Sequence, residues 1–268
     1  MSILRPGFSE RVFEFSFNAE YADRNRAVLA GVPNIPTQNE EKWLGYDVKF
    51  ELKRRGGAVH AVALQHKVPR FVDKRGPSNE NFWNEAGGPY FAVRLDTDQY
   101  NLIESISSAN LHGIEFYYCS PAFASRRDMN AHYLGRTVEA NSVWIDIAGA
   151  GQICDNGLHT IVYSSDGTRA FRFSEDAIPL KIIGGEVRQM RSLESRNAEL
   201  KDVERIYELA FETLSDYWPR RRRSKGVDTE ESFKLPVRLP SREEPTIANT
   251  AKLLGRYYGA SVLVEVRT

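Results

Sequence analysis

The chain has 268 residues, of which 41% are hydrophobic and 27% are charged, and its 36 basic and 36 acidic residues leave no formal net charge. This composition is typical of a globular protein with enough apolar residues for a core. It excludes a protein that binds nucleic acid through an overall positive charge, so any surface that binds nucleic acid must be a local basic patch. Two cysteines, Cys119 and Cys154, are too few for a disulfide framework or a zinc site and favour a reducing compartment.

The first fifteen residues carry charges throughout and lack the apolar core of a secretory signal. No window approaches the roughly 20 apolar residues of a membrane span. We therefore expect a cytoplasmic protein that has no membrane partner.

The predicted elements begin with residues 8–26, which fit a strand or a helix, because periodicity alone does not separate the two. Thr37 is expected to begin a helical turn, since Glu40 stands at capping-box spacing. Residues 46–52 alternate between polar and apolar side chains, as in a strand. A turn signal, KRRGG, follows, and residues 58–67 return as a second strand, so we predict a β-hairpin.

Strands and helices then alternate. Polar residues at 70–89 predict a surface loop. We predict later strands at 90–95, 113–123, 142–149, 159–174 (a hairpin through 165–167) and 178–185. We also predict helices at 97–112 and 125–141, of which the second begins at a Ser125 cap. Residues 186–218 have a helical pattern, 219–245 resemble a linker, and a short helix and a strand end the chain. The alternation predicts an α/β or mixed α+β protein.

Polar side chains converge at one end of the predicted hairpin. A three-residue turn at 55–57, with glycines available for the left-handed region, sets Asp47 opposite Gln65. Lys67 lies on the same strand face as Gln65, because side chains alternate along a strand. These three side chains are therefore predicted to lie together.

A carboxylate from the preceding helical turn, Glu40 or Glu41, is within reach of the same patch. A carboxylate pair with an amide oxygen suits Mg²⁺ or Mn²⁺. Such a metal lowers the pKa of a bound water, and a nearby lysine ammonium stabilises charge that develops on a phosphate. The patch therefore predicts hydrolysis of a phosphodiester. A solvated face of an edge hairpin is the alternative interpretation.

The order Glu, Asp, Gln-x-Lys on a helical turn and hairpin resembles the PD-(D/E)XK nuclease superfamily. It is most similar to variants with Gln in place of the second acidic residue, found among type IV restriction enzymes and antiphage defence effectors. The resemblance implies a restriction-endonuclease-like central mixed sheet flanked by helices in a nuclease-like core at 1–185. A mostly helical C-terminal region at 186–268, with a basic linker at 219–245, follows this core.

The resemblance also implies a Mg²⁺- or Mn²⁺-dependent endonuclease. Its catalytic residues would be Glu41, Asp47, Gln65 and Lys67, of which the first three would hold the metal. Two further glutamates, Glu14 and Glu20, are rivals for the first acidic position, because Glu40 and Glu41 stand only seven and six residues before Asp47.

The expected partner is nucleic acid, with DNA favoured over RNA, in a prokaryotic defence setting that allows protein partners of a defence complex and a homodimer. A non-catalytic subunit of the same fold, which binds nucleic acid or a partner protein, is the alternative function.

The strongest local charge lies in the predicted linker. We expect the run Arg220, Arg221, Arg222, Arg223 and Lys225 to contact phosphates, although a solvated linker would have the same composition. His66 lies on the apolar face of its strand, with Val62 and Leu64, and is expected to be a hydrogen-bonded interior residue and not a ligand.

Overall fold

The structure is a computed structural model and describes residues 3–53, 59–108, 114–155, 157–174 and 176–183. Its α-helices, within these residues, are α1 (Glu10–Arg24), α2 (Gln38–Leu44), α3 (Glu80–Ala86), α4 (Thr97–Ser108) and α5 (Arg126–Gly135). Its strands are β1 (Ile3–Leu4), β2 (Val48–Lys53), β3 (Val59–His66), β4 (Arg70–Val72), β5 (Tyr90–Arg94), β6 (Ile114–Pro121), β7 (Ser142–Asp146), β8 (Thr160–Ser164), β9 (Ala170–Phe173) and β10 (Ala177–Ile182). The mixed α/β class predicted from the alternation of elements is confirmed.

The first ambiguous segment is helical. In α1, the side chain of Ser9 accepts a hydrogen bond from the backbone of Val12 and so caps the helix. Phe13, Phe17 and Tyr21 recur every four residues on one face, and all three are buried. The helix therefore covers the sheet with an aromatic stripe.

The predicted capping box of α2 is confirmed. Thr37 accepts from the backbone N–H of Glu40, and the Glu40 carboxylate accepts from the backbone N–H of Thr37 at 2.8 Å. Gly45 ends the helix in the left-handed region with φ 78°, which a residue with a Cβ adopts only with strain. This turn directs the chain into β2.

The predicted hairpin and its register are confirmed. β2 and β3 pair antiparallel with Val48 opposite Leu64, which places Asp47 and Gln65 at the same end. The chain then returns through α4 to β6, which pairs parallel with β3. The predicted turn at 55–57 lies outside the described residues.

The described strands form one sheet in the order β1-β4-β5-β8-β9-β10-β7-β6-β3-β2. β10 joins its two parts, because residues 177–180 pair with β9 and residues 181 and 182 pair with β7. The Tyr163 hydroxyl in β8 donates to the carbonyl of Pro121 in β6 at 2.7 Å, although three strands separate β8 from β6 in the sheet. The sheet therefore folds over on itself.

The folded sheet encloses the largest apolar cluster. Phe91 and Tyr163 from one part share this cluster with Ala63 and Tyr118 from the other, and α2 and α4 add side chains to it. A second cluster lies under α1 and α5, and a third lies under α3. The end of β3 that carries Gln65 thus lies beside the main core.

The predicted loop at 70–89 is wrong, since this segment contains β4 and α3. The Asn79 side chain accepts from the backbone of Gly76 at 2.6 Å and donates to the Lys74 carbonyl at 3.0 Å, which orders the entry to α3. Phe82 and Trp83 then pack on the third cluster. Together with Val72 and Ala86, these aromatic residues make a polar stretch of sequence part of the folded core.

Other bounds follow the sequence closely. The Ser125 cap of α5 is confirmed, but the helix ends at Gly135, because Arg136 turns into the left-handed region with φ 53°. The predicted β8–β9 hairpin is confirmed, with Gly167 at positive φ in its turn. No helix within the described ranges has the length and apolar character needed to cross a membrane.

The predictions for 186–268 lie outside the described residues. They include the helical C-terminal region, the linker at 219–245 and the basic run at 220–225, so the predicted boundary at 185 remains a prediction.

Candidate active site

The hairpin brings Asp47 and Gln65 into direct contact. The Gln65 amide nitrogen Nε2 donates to Asp47 Oδ1 at 2.8 Å and to Oδ2 at 3.0 Å. The backbone N–H of His66 donates to Oδ2 at 2.5 Å. Gln65 is 1% exposed and the Asp47 side chain is 11% exposed, so these bonds lie largely away from water. The arrangement follows from the register, because the N–H of Asp47 continues the ladder to the Leu64 carbonyl.

The surroundings of the Asp47 carboxyl favour its charged form. Burial opposes ionisation, but the nearby imidazole and the backbone N–H of His66, together with the charge of Lys67, outweigh it and hold the pKa of Asp47 below its ordinary value. Asp47 is therefore an anion at neutral pH.

Glu41 lies beside this anion. Burial, the charge of Asp47 and a hydrogen bond between the two carboxyl groups raise the pKa of Glu41 to about 7, against a smaller opposing effect of Lys67. Two adjacent carboxyl groups that share a proton near neutral pH offer two oxygen ligands to a cation.

The structure separates the alternatives for the first acidic residue. Glu40 points away, since its carboxylate is bonded to the backbone and hydroxyl of Thr37. Glu20 accepts from the backbone of Val138 at 2.7 Å, on the α5 side of α1. Glu14 does lie near the site, because burial and then the charge of Asp47 raise its pKa. Glu41 and Glu14 thus both lie close enough to Asp47 for its charge to raise their pKa.

Lys67 approaches the same group of acids. Its ammonium Nζ lies 4.0 Å from the Glu10 carboxylate, and its side chain is 20% exposed. Its backbone is held on β6, where its N–H donates to the Cys119 carbonyl at 2.9 Å and its carbonyl accepts from the Ser120 hydroxyl at 2.8 Å. A fixed backbone and a partly exposed ammonium suit a role towards a bound anion.

Sequence reasoning missed two residues of this group, Glu10 and Gln99. Glu10 stands one helical turn before Glu14, a signal available only once α1 is known to be a helix. Gln99 in α4 donates to the Gln65 amide oxygen Oε1 at 2.8 Å. A contact between residues 34 positions apart leaves no pattern in the sequence.

His66 occupies the opposite face of β3, as predicted. Its ring is fully buried against the edges of Phe13 and Phe17, with centroids 5.7 and 5.4 Å away. Its Nδ1 lies 3.3 Å from Asp47 Oδ2. Within the described residues, neither ring nitrogen has a hydrogen-bond partner, so the prediction of an interior residue is confirmed and the prediction that its ring is hydrogen-bonded is wrong.

The oxygen atoms of the site can be compared with the ligands that a divalent cation prefers. Within the described ranges, no three His, Cys, Asp or Glu side chains are arranged to hold a metal ion. Glu41 and Asp47 supply two carboxylates of the kind that Mg²⁺ or Mn²⁺ prefers, and the Gln65 amide contains a third oxygen. That oxygen faces Gln99, and the amide nitrogen faces Asp47. The two carboxylates and the Gln65 oxygen are ligands of the kind that the ion prefers, once the Gln65 amide rotates by half a turn and its oxygen faces Asp47.

Comparison with protein-family models, with curated proteins and with solved structures finds no match for this chain.

Proposed function

We propose that this protein is a Mg²⁺- or Mn²⁺-dependent endonuclease that hydrolyses DNA. The observation that carries the proposal is the adjacency of Glu41, Asp47 and Gln65, with the Lys67 ammonium beside them. Two acids, an amide and an amine beside one end of the hairpin can supply oxygen ligands for a metal and a positive charge for the phosphate, which suits metal-assisted phosphodiester hydrolysis.

The order of elements supports a restriction-endonuclease-like layout. A helix, α1, precedes the β2–β3 hairpin, and α4 connects it to a strand, β6, that is parallel to β3. β4, α3 and β5 are inserted between the hairpin and α4. The candidate residues lie where β3 ends, and α1 and α2 cover them with acidic side chains.

The proposed roles follow from the charges. Glu41 and Asp47 would hold the cation, and Gln65 would complete the set through its amide oxygen. A bound Mg²⁺ or Mn²⁺ would supply positive charge for the phosphate and lower the pKa of a water. The Lys67 ammonium binds a phosphate oxygen and stabilises the charge that develops when water oxygen bonds to phosphorus and the ester P–O bond breaks. The attacking water gives up a proton, and the leaving oxygen takes one up, so the step is balanced.

The biological setting is proposed from the resemblance of the motif. The Gln-x-Lys variant favours a defence effector of a prokaryote, acting with partner proteins or as a homodimer. DNA is the substrate favoured over RNA, and the basic run at 220–225 is the proposed phosphate-contacting segment.

The test is cleavage of plasmid and linear DNA by the purified full chain with Mg²⁺, Mn²⁺ or EDTA. Wild type is compared with Asp47→Ala, Lys67→Ala and, as a matched control, Lys74→Ala at an exposed lysine. We expect metal-dependent cleavage that is lost in the first two variants and kept in the third. Cleavage that survives in Lys67→Ala would show that the assignment of Lys67 is wrong.

A non-catalytic subunit of the same fold is the second candidate. It is favoured by one observation, that the Gln65 amide nitrogen already satisfies both oxygens of Asp47. A thermal-shift titration with Mn²⁺ separates the two, because a ligand that binds the folded state raises the unfolding temperature by mass action. A shift that disappears in Asp47→Ala supports the metal site, and no shift up to millimolar Mn²⁺ supports the non-catalytic subunit.

A further inference from the structure

We propose that Gln99 is a positioning residue for the candidate active site, and that a divalent cation binds when the amides of Gln65 and Gln99 turn over together. This inference rests on the proposed metal site. It goes further because it names a residue in α4, Gln99, and a reversal of its hydrogen bond to Gln65 as the conditions for binding the ion.

The present direction of the hydrogen bonds is imposed by Asp47. A carboxylate only accepts, so Gln65 must present its Nε2 to Asp47, which it does at 2.8 and 3.0 Å. The Gln65 oxygen then faces the other way and needs a donor. Gln99 supplies it, with Nε2 donating to Gln65 Oε1 at 2.8 Å.

This direction opposes binding of a cation. The partial positive charge of the Gln65 amide group lies against both oxygens of Asp47, which is where the cation would bind. The atom of Gln65 that could bind a metal is its oxygen, on the far side of the amide. A cation on Asp47 therefore requires the Gln65 amide to rotate by half a turn.

Rotation of the Gln65 amide requires Gln99 to change from a hydrogen-bond donor to an acceptor. Gln65 is 1% exposed, so water does not replace a lost partner, and an unpaired amide there is unfavourable. After rotation the Gln65 nitrogen faces Gln99, which must now accept. Glutamine can do so by turning its own amide, because one end donates and the other accepts.

The position of Gln99 suits this role. The Asp96 carboxylate accepts from the Gln99 backbone N–H at 3.0 Å and so fixes the first turn of α4. The half-buried Gln99 side chain stays within reach of Gln65 in both directions. A glutamate at 99 would only accept and a lysine would only donate, so each would favour one direction of the Gln65 amide over the other.

The first test measures Mn²⁺ affinity by isothermal titration calorimetry on the full chain without DNA. Gln99→Glu is nearly isosteric and only accepts, so it opposes the present direction, in which the Gln65 oxygen faces position 99, and pairs with the Gln65 nitrogen after rotation. We expect Mn²⁺ to bind about tenfold more tightly, within the usual range of effects of residues behind metal ligands. The double variant Gln65→Met/Gln99→Glu, compared with Gln65→Met alone, measures what the added negative charge does by itself.

The outcomes are distinct. A gain from Gln99→Glu that is present when Gln65 is intact and absent in the Gln65→Met background supports the inference. An equal gain in both backgrounds is an effect of charge and overturns it. No gain in either background, with metal-dependent DNA cleavage intact in Gln99→Glu, overturns the role of Gln99 and leaves the proposed nuclease standing. No binding of Mn²⁺ to wild type or to any variant overturns the metal site and this inference together.

A second measurement does not depend on the variants binding metal. The side-chain NH₂ signals of glutamines are visible in ¹⁵N-correlated NMR spectra, and Gln99→Glu removes the signal of Gln99 and so identifies it. Gln65→Met identifies the signal of Gln65 in the same way. On titration of wild type with Mg²⁺, the two signals should shift together at the same concentrations. A shift of the Gln65 signal alone would overturn the paired rotation.

Discussion

At the scale of single residues, the candidate site contains two neighbouring carboxyl groups whose surroundings shift their pKa values in opposite directions. Asp47 accepts hydrogen bonds from Gln65 and His66 and stays ionised, whereas the pKa of Glu41 is raised to about 7 by burial and by Asp47. The pair therefore holds one negative charge in acid and two in base.

The raised pKa of Glu41 predicts how stability depends on pH. The folded protein keeps the Glu41 proton up to about pH 7, while the unfolded chain releases it near the ordinary value of 4.5. The folded state thus binds more protons in this window, and the free energy of unfolding falls as pH rises through it. In Glu41→Gln this fall is absent, and above pH 7 the variant should be more stable than wild type by on the order of 1 kcal/mol, allowing for solvent screening.

The measurement is urea unfolding in EDTA at pH 5 and pH 8, with Glu85→Gln as the control at an exposed glutamate. The lowered pKa of Asp47 does not interfere, because its stabilising contribution is lost only as pH falls through a value below 3.8. Parallel pH dependence in wild type and Glu41→Gln would contradict the prediction.

At the scale of elements, the two neighbouring glutamates of α2 have different contacts. Glu40 closes the capping box with Thr37, and Glu41, next on the helix, faces Asp47. Gly45 then turns the chain, and an added Cβ there would lie 3.0 Å from Ile103 of α4. The helix thus fixes the position of Glu41 through both of its ends.

This division predicts different effects of substitution along α2. Thr37→Ala should lower the free energy of unfolding by about 1 kcal/mol, as loss of a helix cap does, and leave the proposed cleavage intact. Glu40→Ala should behave in the same way for the same reason. Glu41→Ala should abolish the proposed cleavage, because it removes a carboxylate from the proposed metal ligands. Paired urea unfolding and plasmid cleavage assays check all three.

The reverse result, with cleavage lost in Glu40→Ala and kept in Glu41→Ala, would mean that Glu41 is not the acidic ligand. Glu14 would then be the remaining candidate, since it also lies near Asp47.

At the scale of the whole molecule, the two parts of the sheet share one core. Tyr163 is fully buried in it, and its hydroxyl donates to the Pro121 carbonyl at 2.7 Å and lies 2.8 Å from the Ser120 hydroxyl. Ser120 in turn donates to the backbone carbonyl of Lys67. A side chain from β8 therefore reaches the strand that supports the candidate site.

Removing this hydroxyl should weaken the whole molecule. Tyr163→Phe leaves the Pro121 carbonyl without its donor inside the core, and we expect the free energy of unfolding to fall by about 1–3 kcal/mol. Because the core is shared, unfolding followed by tryptophan fluorescence and by circular dichroism should remain one coincident transition. The control is Tyr133→Phe at a tyrosine that is 46% exposed and should change stability little. Two separate transitions in wild type would contradict a shared core.

The elements that the sequence predicts correctly are those with strong local signals. The α2 capping box, the β2–β3 hairpin and the Ser125 cap depend on residues a few positions apart, so spacing alone reveals them. The prediction of a loop at 70–89 fails because the polar composition of this segment hides three aromatic side chains, Phe71, Phe82 and Trp83, that pack only in the folded molecule.

The candidate site also combines a contact that local sequence predicts with contacts that only the folded molecule shows. The sequence by itself determined that Asp47 lies opposite Gln65, because the pairing register of a hairpin follows from its turn. Only the tertiary structure decided that Glu41 and not Glu40 faces Asp47, that Glu10 and Glu14 approach from α1, and that Gln99 holds Gln65. The physical reason is that these contacts arise where separate helices pack on the sheet, and packing between distant segments has no period or spacing that the chain displays.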